Sequence, residues 1–169
     1  IARNAPKVVQ AAVTLRFAGV DYDYQAGETV LDALLRQDVD TPYFCRNGIC
    51  LSCILQCQDG EPTADSQQGI RDTLRSQGHF LPCLCAPDED LDCAPPNHDE
   101  VYGRATFRRI EQLSPSICRV ILEPATPLYY RAGQFINLRR EDGMVRSYSL
   151  ASVPSLDEHL DLHIKRLPR

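Results

Sequence analysis

The chain has 169 residues, is 43% hydrophobic and 24% charged, and carries a formal net charge of −5. That is ordinary globular composition, enough for one large domain or two small ones, and the periodic apolar segments exclude wholesale disorder. No apolar run approaches the roughly 20 residues a membrane-spanning helix needs, and residues 1–97, with seven Lys/Arg against fourteen Asp/Glu, lack the clustered basic charge that nucleic acid selects. Residues 98–169 are mildly basic, with eleven Lys/Arg against nine Asp/Glu. The acidic half suits a basic protein partner or a merely soluble surface.

Val8–Phe17 reads as a first strand, with Val13, Leu15 and Phe17 alternating. Ala18 to Asp21 form a turn, and a short strand Tyr22–Gln25 pairs back. After Gly27-Glu28-Thr29, the stripe Val30, Leu31, Leu34 and Leu35 predicts a helix starting at Thr29 or Glu28. The segment Asp38–Pro42 ends it, because the residue before a proline disfavours helix. A cysteine-rich loop follows. Ile54–Gln58 reads as a strand, closed by Asp59-Gly60, a hairpin-type signal. Thr63–Gly78 is polar, with Ile70 and Leu74 at helical spacing, and reads as a short helix or ordered loop. Phe80–Cys83 and Leu91–Cys93 are short strands. Taken alone, this pattern indicates a small α+β unit.

Ala94 to Glu100, with Pro95 and Pro96, reads as a linker. It divides the chain into domains at 1–97 and 98–169. Beyond it, Tyr102–Ile110, Ile117–Glu123, Gln134–Arg139, Arg146–Leu150 and Leu160–Lys165 are strand-like. Turns at Ser114-Pro115, Ala132-Gly133, Asp142-Gly143 and Pro154-Ser155 separate them. Short strands at such spacing suggest an antiparallel barrel.

The loop Cys45-Arg46-Asn47-Gly48-Ile49-Cys50-Leu51-Ser52-Cys53 has the spacing C-x4-C-x2-C, and Cys83 follows after 29 residues. This is the ligand spacing of a plant-type [2Fe–2S] cluster, in which four thiolates close around two bridged irons. Gly48 lets the backbone pass close to such a group, and loop N–H groups can donate to the sulfurs. Zinc is one alternative, although C-x2-C pairs or histidines would be more usual, and no histidine lies between Cys45 and Cys57. Disulfides are another, although eight cysteines in 169 residues fall below the roughly 8–10% of a disulfide scaffold. Simple burial of thiols explains single cysteines, not three in nine positions.

Through C-R-x-G-x-C-x-x-C, the loop resembles the plant-type ferredoxin family, whose fold is a β-grasp. That resemblance implies Cys45, Cys50, Cys53 and Cys83 as metal ligands, the last in the family's L-x-C-x-x-x-P stretch, Leu81 to Pro87. Cys85 is the rival fourth ligand. Cys57, Cys93 and Cys118 stand outside the motif and read as packed thiols. Arg46 is expected to shape the loop or dock a partner.

Arg146-Ser147-Tyr148-Ser149-Leu150-Ala151-Ser152 is a second stretch of interest. On a strand, Arg146, Tyr148 and Leu150 face one way and Ser147 and Ser149 the other. Arg and Tyr on one face suit a phosphorylated or planar ligand, while an ordinary half-exposed strand is the bland alternative. R-x-Y-S-x-x-S, with the upstream Gly133-Gln134-Phe135, resembles the flavin-binding motif of the ferredoxin–NADP reductase superfamily. The resemblance implies Arg146 on the pyrophosphate of FAD, Tyr148 against the isoalloxazine ring, and Ser149 toward N5. Ferredoxin followed by flavin domain is similar to the reductase components of bacterial oxygenases and related iron–sulfur flavoreductases.

That family would place a second pyrophosphate-binding loop, the last barrel strands and a nicotinamide domain after Leu160–Arg166. The sequence ends at Arg169 and holds no G-x-G-x-x-G. The expectation is therefore an α+β chain, a β-grasp domain followed by an apparently truncated antiparallel β-barrel carrying about half an FAD site. No residue stands out as catalytic, and NAD(P)H belongs only to an intact reductase. The expected role is electron transfer to a redox protein partner such as an oxygenase component, in the cytoplasm. The alternative is a stand-alone electron shuttle whose C-terminal region only docks partners.

Overall fold

The computed structural model describes residues 13–166. Strand β1 (Leu15–Phe17) turns back into β2 (Val20–Tyr22) through Ala18 and Gly19, both left-handed at φ 50° and 81°. Two such residues make the tight hairpin turn whose twist matches the strands. The second strand therefore begins two residues earlier than the Tyr22–Gln25 expected. The start of the expected first strand, residues 8–12, lies outside the described residues.

Helix α1 (Val30–Arg36) begins where the sequence places it. Thr29 is the N-cap, its hydroxyl accepting from the Asp32 N–H at 3.2 Å and donating to the Asp32 carboxylate at 2.7 Å. Seven residues are too few to hold a helix alone. Burial of Val30, Leu31, Ala33 and Leu34 holds it.

Next come β3 (Leu55–Asp59), a single 3₁₀ turn (Ala64–Gln67), α2 (Asp72–Arg75), β4 (His79–Phe80) and β5 (Leu91–Ala94). They complete a five-stranded sheet in the order β2-β1-β5-β3-β4, with β1 and β5 parallel and the other neighbours antiparallel. Asp59-Gly60 does not send the chain straight back. The 3₁₀ turn and α2 intervene before β4 pairs with β3. The expected strand Phe80–Cys83 shrinks to two residues because Pro82 has no N–H to give a ladder. Instead, the Pro82 carbonyl accepts from Leu31 N–H at 3.0 Å and the Cys85 carbonyl from Val30 N–H at 2.7 Å. Two orphan donors of α1 are thus satisfied by the segment that carries Cys83.

The sequence-predicted linker is more ordered than expected. Ala94 closes β5, and Asn97 caps a one-turn helix, α3 (His98–Val101), its side chain accepting from Asp99 N–H at 3.2 Å. Strands β6 (Ala105–Ser114) and β7 (Ile117–Pro124) then form a hairpin, and two shorter strands, β8 (Phe135–Arg139) and β9 (Val145–Ser149), form another. Finally β10 (Leu160–Lys165) pairs with β7, giving a β10-β7-β6 sheet. A single bridge, Leu150 to Leu162, joins the two sheets. They do not close into a barrel among the described residues. What they share is an apolar cluster of Val120, Leu122, Leu150, Leu160 and Leu162.

Two further cores lie in the first half. Leu15, Phe17, Leu34, Phe80, Leu91 and Cys93 fill the space between α1 and the sheet. Leu31, Ile54, Leu74 and Leu81 form a second cluster, and Cys53 and Cys83 are part of it. No helix among the described residues is long and apolar enough to cross a membrane.

Candidate functional site

The loop between α1 and β3 folds back on itself within a few residues. Arg46 and Leu51 adopt left-handed conformations at φ 58° and 56°, and Gly48 does so at 78°. Alternating such residues with ordinary ones turns successive N–H groups to one side, the concavity that receives anions. A Cβ at Gly48 would stand 2.4 Å from Leu84 Cδ1, so any other residue there must displace the Leu84 side chain on the segment carrying Cys83.

Sulfurs occupy that concavity. Cys50 N–H donates to Cys45 Sγ at 3.3 Å, and Cys45 N–H to Cys50 Sγ at 3.5 Å. Cys53 and Cys83 Sγ lie 3.5 Å apart. One sulfur pair is thus formed by Cys53 and Cys83, while Cys45 and Cys50 are joined by reciprocal N–H···S bonds. Among the described residues no three or more His, Cys, Asp or Glu side chains gather around one point as a single ion requires. Metal–sulfur bonds of about 2.3 Å at a tetrahedral centre put two sulfurs about 3.8 Å apart. Cys53 and Cys83 are already near that spacing.

The local field favours thiolate at Cys45 and at Cys83. Burial works to raise the Cys45 thiol, but N–H groups of Asn47, Cys50 and Ile49 outweigh it and hold it below its ordinary value. Cys53 and Cys83 are shifted in opposite directions by the contact between their sulfurs. Donation from Cys53, helped by the Gly48 N–H, lowers Cys83, while Cys53 is raised by that same bond and by burial. Four thiols, convergent N–H donors and a glycine at the point of closest approach fit a two-iron cluster in donor chemistry.

Cys85 is fully buried, but in the other core, with Phe80 and Leu91, and burial raises its thiol. Cys57 and Cys93 are directly paired across β3 and β5, and burial pushes Cys93 up to about 12. Cys118 lies on β7, and all eight cysteines are free thiols. Arg46 pairs with Asp32 of α1 and lies over the Tyr43 ring at 5.6 Å. It ties the loop to the helix.

The second candidate group lies on β9. Arg146 is exposed and donates to the Val145 carbonyl at 2.9 Å. Tyr148 is half-buried against the Leu150–Leu162 cluster, and Ser149 is exposed at the strand end. A cleft of about 720 Å³ separates this hairpin from the cysteine loop, with Thr41, Phe44 and Ser52 on one side and Arg139, Val145 and Arg146 on the other. The Thr41 and Ser52 hydroxyls are buried there without a protein partner, places where water would bond. A second groove, of about 510 Å³ beside β6, β7 and the loop before β10, is lined by Arg108, Arg109 and Arg119. These pair with Glu123, Glu111 and Asp161, which leaves little free charge for a ligand.

Sequence reasoning missed Asp32, Leu84, Asn137 and Ser147. The first two brace the loop. Asn137 donates to the Cys50 carbonyl at 2.6 Å, and Ser147 donates to Asn137 Oδ1 at 2.7 Å. Separations of 14 and 87 residues leave no local signal.

Residues 14–88 match the family of 2Fe-2S iron-sulfur cluster binding domains. Over 167 residues the chain is 30% identical to the phenol hydroxylase P5 protein of Acinetobacter pittii, covering 92% of this chain and 47% of that protein. It is 34% identical over 157 residues to the aromatic O-demethylase reductase subunit of an Amycolatopsis species, covering 86% and 46%. Ferredoxin C 2 of Arabidopsis thaliana chloroplasts is 34% identical over 89 residues, covering 52% of this chain and 49% of that protein. The chain spans about half the length of these curated relatives. Residues 14–88 are therefore a 2Fe-2S iron-sulfur cluster binding domain, and the residues that follow continue the similarity to the Acinetobacter and Amycolatopsis relatives.

Proposed function

We propose that Cys45, Cys50, Cys53 and Cys83 hold a [2Fe–2S] cluster, and that the chain is the N-terminal part of an NAD(P)H-dependent iron–sulfur flavoreductase. The observation that carries this is the Cys53–Cys83 sulfur pair next to the reciprocally bonded Cys45 and Cys50, with N–H groups turned toward Cys45 and Cys83. When bound, a plant-type cluster supplies a one-electron couple at about −400 mV. Residues of the chain do the rest. N–H groups of Asn47 and Ile49 stabilise thiolate at Cys45, and that of Gly48 does so at Cys83. Leu31, Leu74 and Leu81 keep water from Cys53 and Cys83. Arg46, paired with Asp32, fixes the loop's path.

The division into 1–97 and 98–169 goes with this reading, since the five-stranded sheet ends at Ala94 and β6 begins at Ala105. So do flavin roles for Arg146, Tyr148 and Ser149. The Amycolatopsis relative is a reductase subunit of an aromatic O-demethylase. By analogy the acceptor is an oxygenase component or similar redox protein, in the cytoplasm.

A stand-alone shuttle is the second reading. It is favoured by the Arg146 guanidinium turned to its own backbone and by the Tyr148 ring resting on its own core. Two measurements on the purified chain decide. Iron analysis with electron paramagnetic resonance of the reduced protein should give two irons and a rhombic S = ½ signal, and a silent spectrum from intact protein sinks the cluster reading. FAD fluorescence released on denaturation supports the flavoreductase, and its absence supports the shuttle.

A further inference from the structure

We propose that Asn137 is a positioning residue that fixes the cysteine loop onto the β8–β9 hairpin through the Cys50 carbonyl, with Ser147 holding its amide in the required orientation. This rests on the reading of Cys50 as a cluster ligand. Asn137 and Ser147 are directly opposed in the β8–β9 register, so their side chains share one face of the hairpin. Ser147 donates to Asn137 Oδ1 at 2.7 Å, and Asn137 Nδ2 donates to the Cys50 carbonyl at 2.6 Å. Turning the amide over would bring two acceptor oxygens together at Cys50, so Nδ2 stands toward Cys50 and Oδ1 toward the Ser147 hydroxyl that holds it.

Among the described residues no other hydrogen bond joins residues 13–94 to residues 105–166. The bond falls on a proposed ligand residue rather than elsewhere on the surface. Cys50 thereby faces both ways, its N–H toward Cys45 Sγ and its carbonyl toward Asn137. The opposite face of the same hairpin carries Ile136, Leu138 and Tyr148, which pack on the third core. Ser147 is bonded in sequence to both Arg146 and Tyr148. Only hydrogen bonds and one strand's backbone therefore separate the loop from the proposed flavin residues. A route without open gaps carries electrons better than one across solvent, and a fixed length keeps the rate uniform.

The test uses the full 169-residue chain with its cluster. Asn137→Asp keeps the shape but sets a negative charge against the Cys50 carbonyl. The reduced-to-oxidised ratio against a fixed redox dye should fall about threefold or more. A remote charge change on β6, Gln112→Glu, should leave it unchanged. Asn137→Leu removes the donor, and amides of residues 45–53 should exchange about three- to tenfold faster with solvent. Should Asn137→Asp fail to fold, Ser147→Ala decides, since it keeps the strand pairing and frees only the amide. It should raise exchange in the same loop. Unchanged dye ratio and unchanged exchange, in a wild-type chain that does hold two irons, overturn the proposal. A wild-type chain without iron overturns the cluster reading instead.

Discussion

Replacing Gly48 by alanine tests the geometry of the cysteine loop. Two separate costs are expected. The left-handed backbone at φ 78° costs an L-residue about 1–2 kcal/mol. The new Cβ would also stand 2.4 Å from Leu84 Cδ1 and 3.2 Å from Cγ, so that side chain must leave its rotamer at about 0.5–1.5 kcal/mol. A stiffer unfolded chain returns up to about 1 kcal/mol. Gly19 supplies the control. It has φ 81° and nothing within 4 Å of its Cβ position, so Gly19→Ala carries the backbone and unfolded-state effects alone. Subtracting the two leaves the Leu84 clash, about 0.5–1.5 kcal/mol. Urea unfolding followed by circular dichroism measures both. Combining Gly48→Ala with Leu84→Ala should recover the clash as a favourable coupling of similar size. Equal losses for Gly48→Ala and Gly19→Ala, together with no coupling to Leu84, would refute the close approach.

Alanine at Cys45, Cys50, Cys53 or Cys83 should abolish iron content and visible absorbance, whereas Cys85→Ala should keep both. Bleaching by Cys85→Ala would make it the fourth ligand. Thr29→Ala should cost about 1 kcal/mol in urea unfolding, because it removes the cap of α1 and the partner of Asp32. Leu162→Ala, at a fully buried position of the third core, should cost about 2–5 kcal/mol in the unfolding of the second half while leaving the visible spectrum intact. Cys93 gives a pH dependence. Its folded thiol is raised to about 12, above the about 8.5 of a free thiol. The protonated form is thus favoured by folding, and its stabilisation is complete below pH 8.5 and lost as pH rises toward 12. Cys93→Ala should flatten the alkaline decline of stability, and an unchanged slope would count against that burial.

Local chemistry made much of this legible. Thr29 with a four-residue apolar stripe marked α1 to within a residue, because cap and periodicity act over one turn. The β6–β7 turn at Ser114-Pro115 and the β8–β9 turn at Asp142-Gly143 also fell as expected. Pairing over distance was not legible. Asp59-Gly60 carries a hairpin signal, yet β3 finds its partners 20 and more residues on, after α2. The turn at Ala18 to Asp21 was legible, but not that it closes in two residues, since a left-handed alanine has no sequence signature. At the site, spacing alone drew Cys45, Cys50 and Cys53 together. The choice of Cys83 over Cys85 drew on a family resemblance, and the structure adds a physical separation, with one thiol beside Cys53 and the other across α1 in a different core. The inward face of Tyr148 was not readable, because strand alternation groups it with Arg146 and Leu150 without saying which side is the core.

Helix α1 connects these separate facts. Its first N–H groups bond the carbonyls of Pro82 and Cys85, on either side of Cys83, and its Asp32 holds Arg46, the residue after Cys45. Leu31 from the same helix covers Cys53 and Cys83. One short element thus holds both the three-cysteine loop and the segment of Cys83. A site held in this way changes little in shape when a charge is added, which is what rapid one-electron exchange requires. The loop then presents two unlike sides. Ile49 stands 64% exposed on its rim, while the Cys50 carbonyl is held by Asn137 on the hairpin. A carrier that takes electrons from one site and delivers them to another needs two such approaches. If the hairpin side is the donor side, changes at Asn137 slow filling of the cluster, and changes at Ile49 slow its emptying into an acceptor.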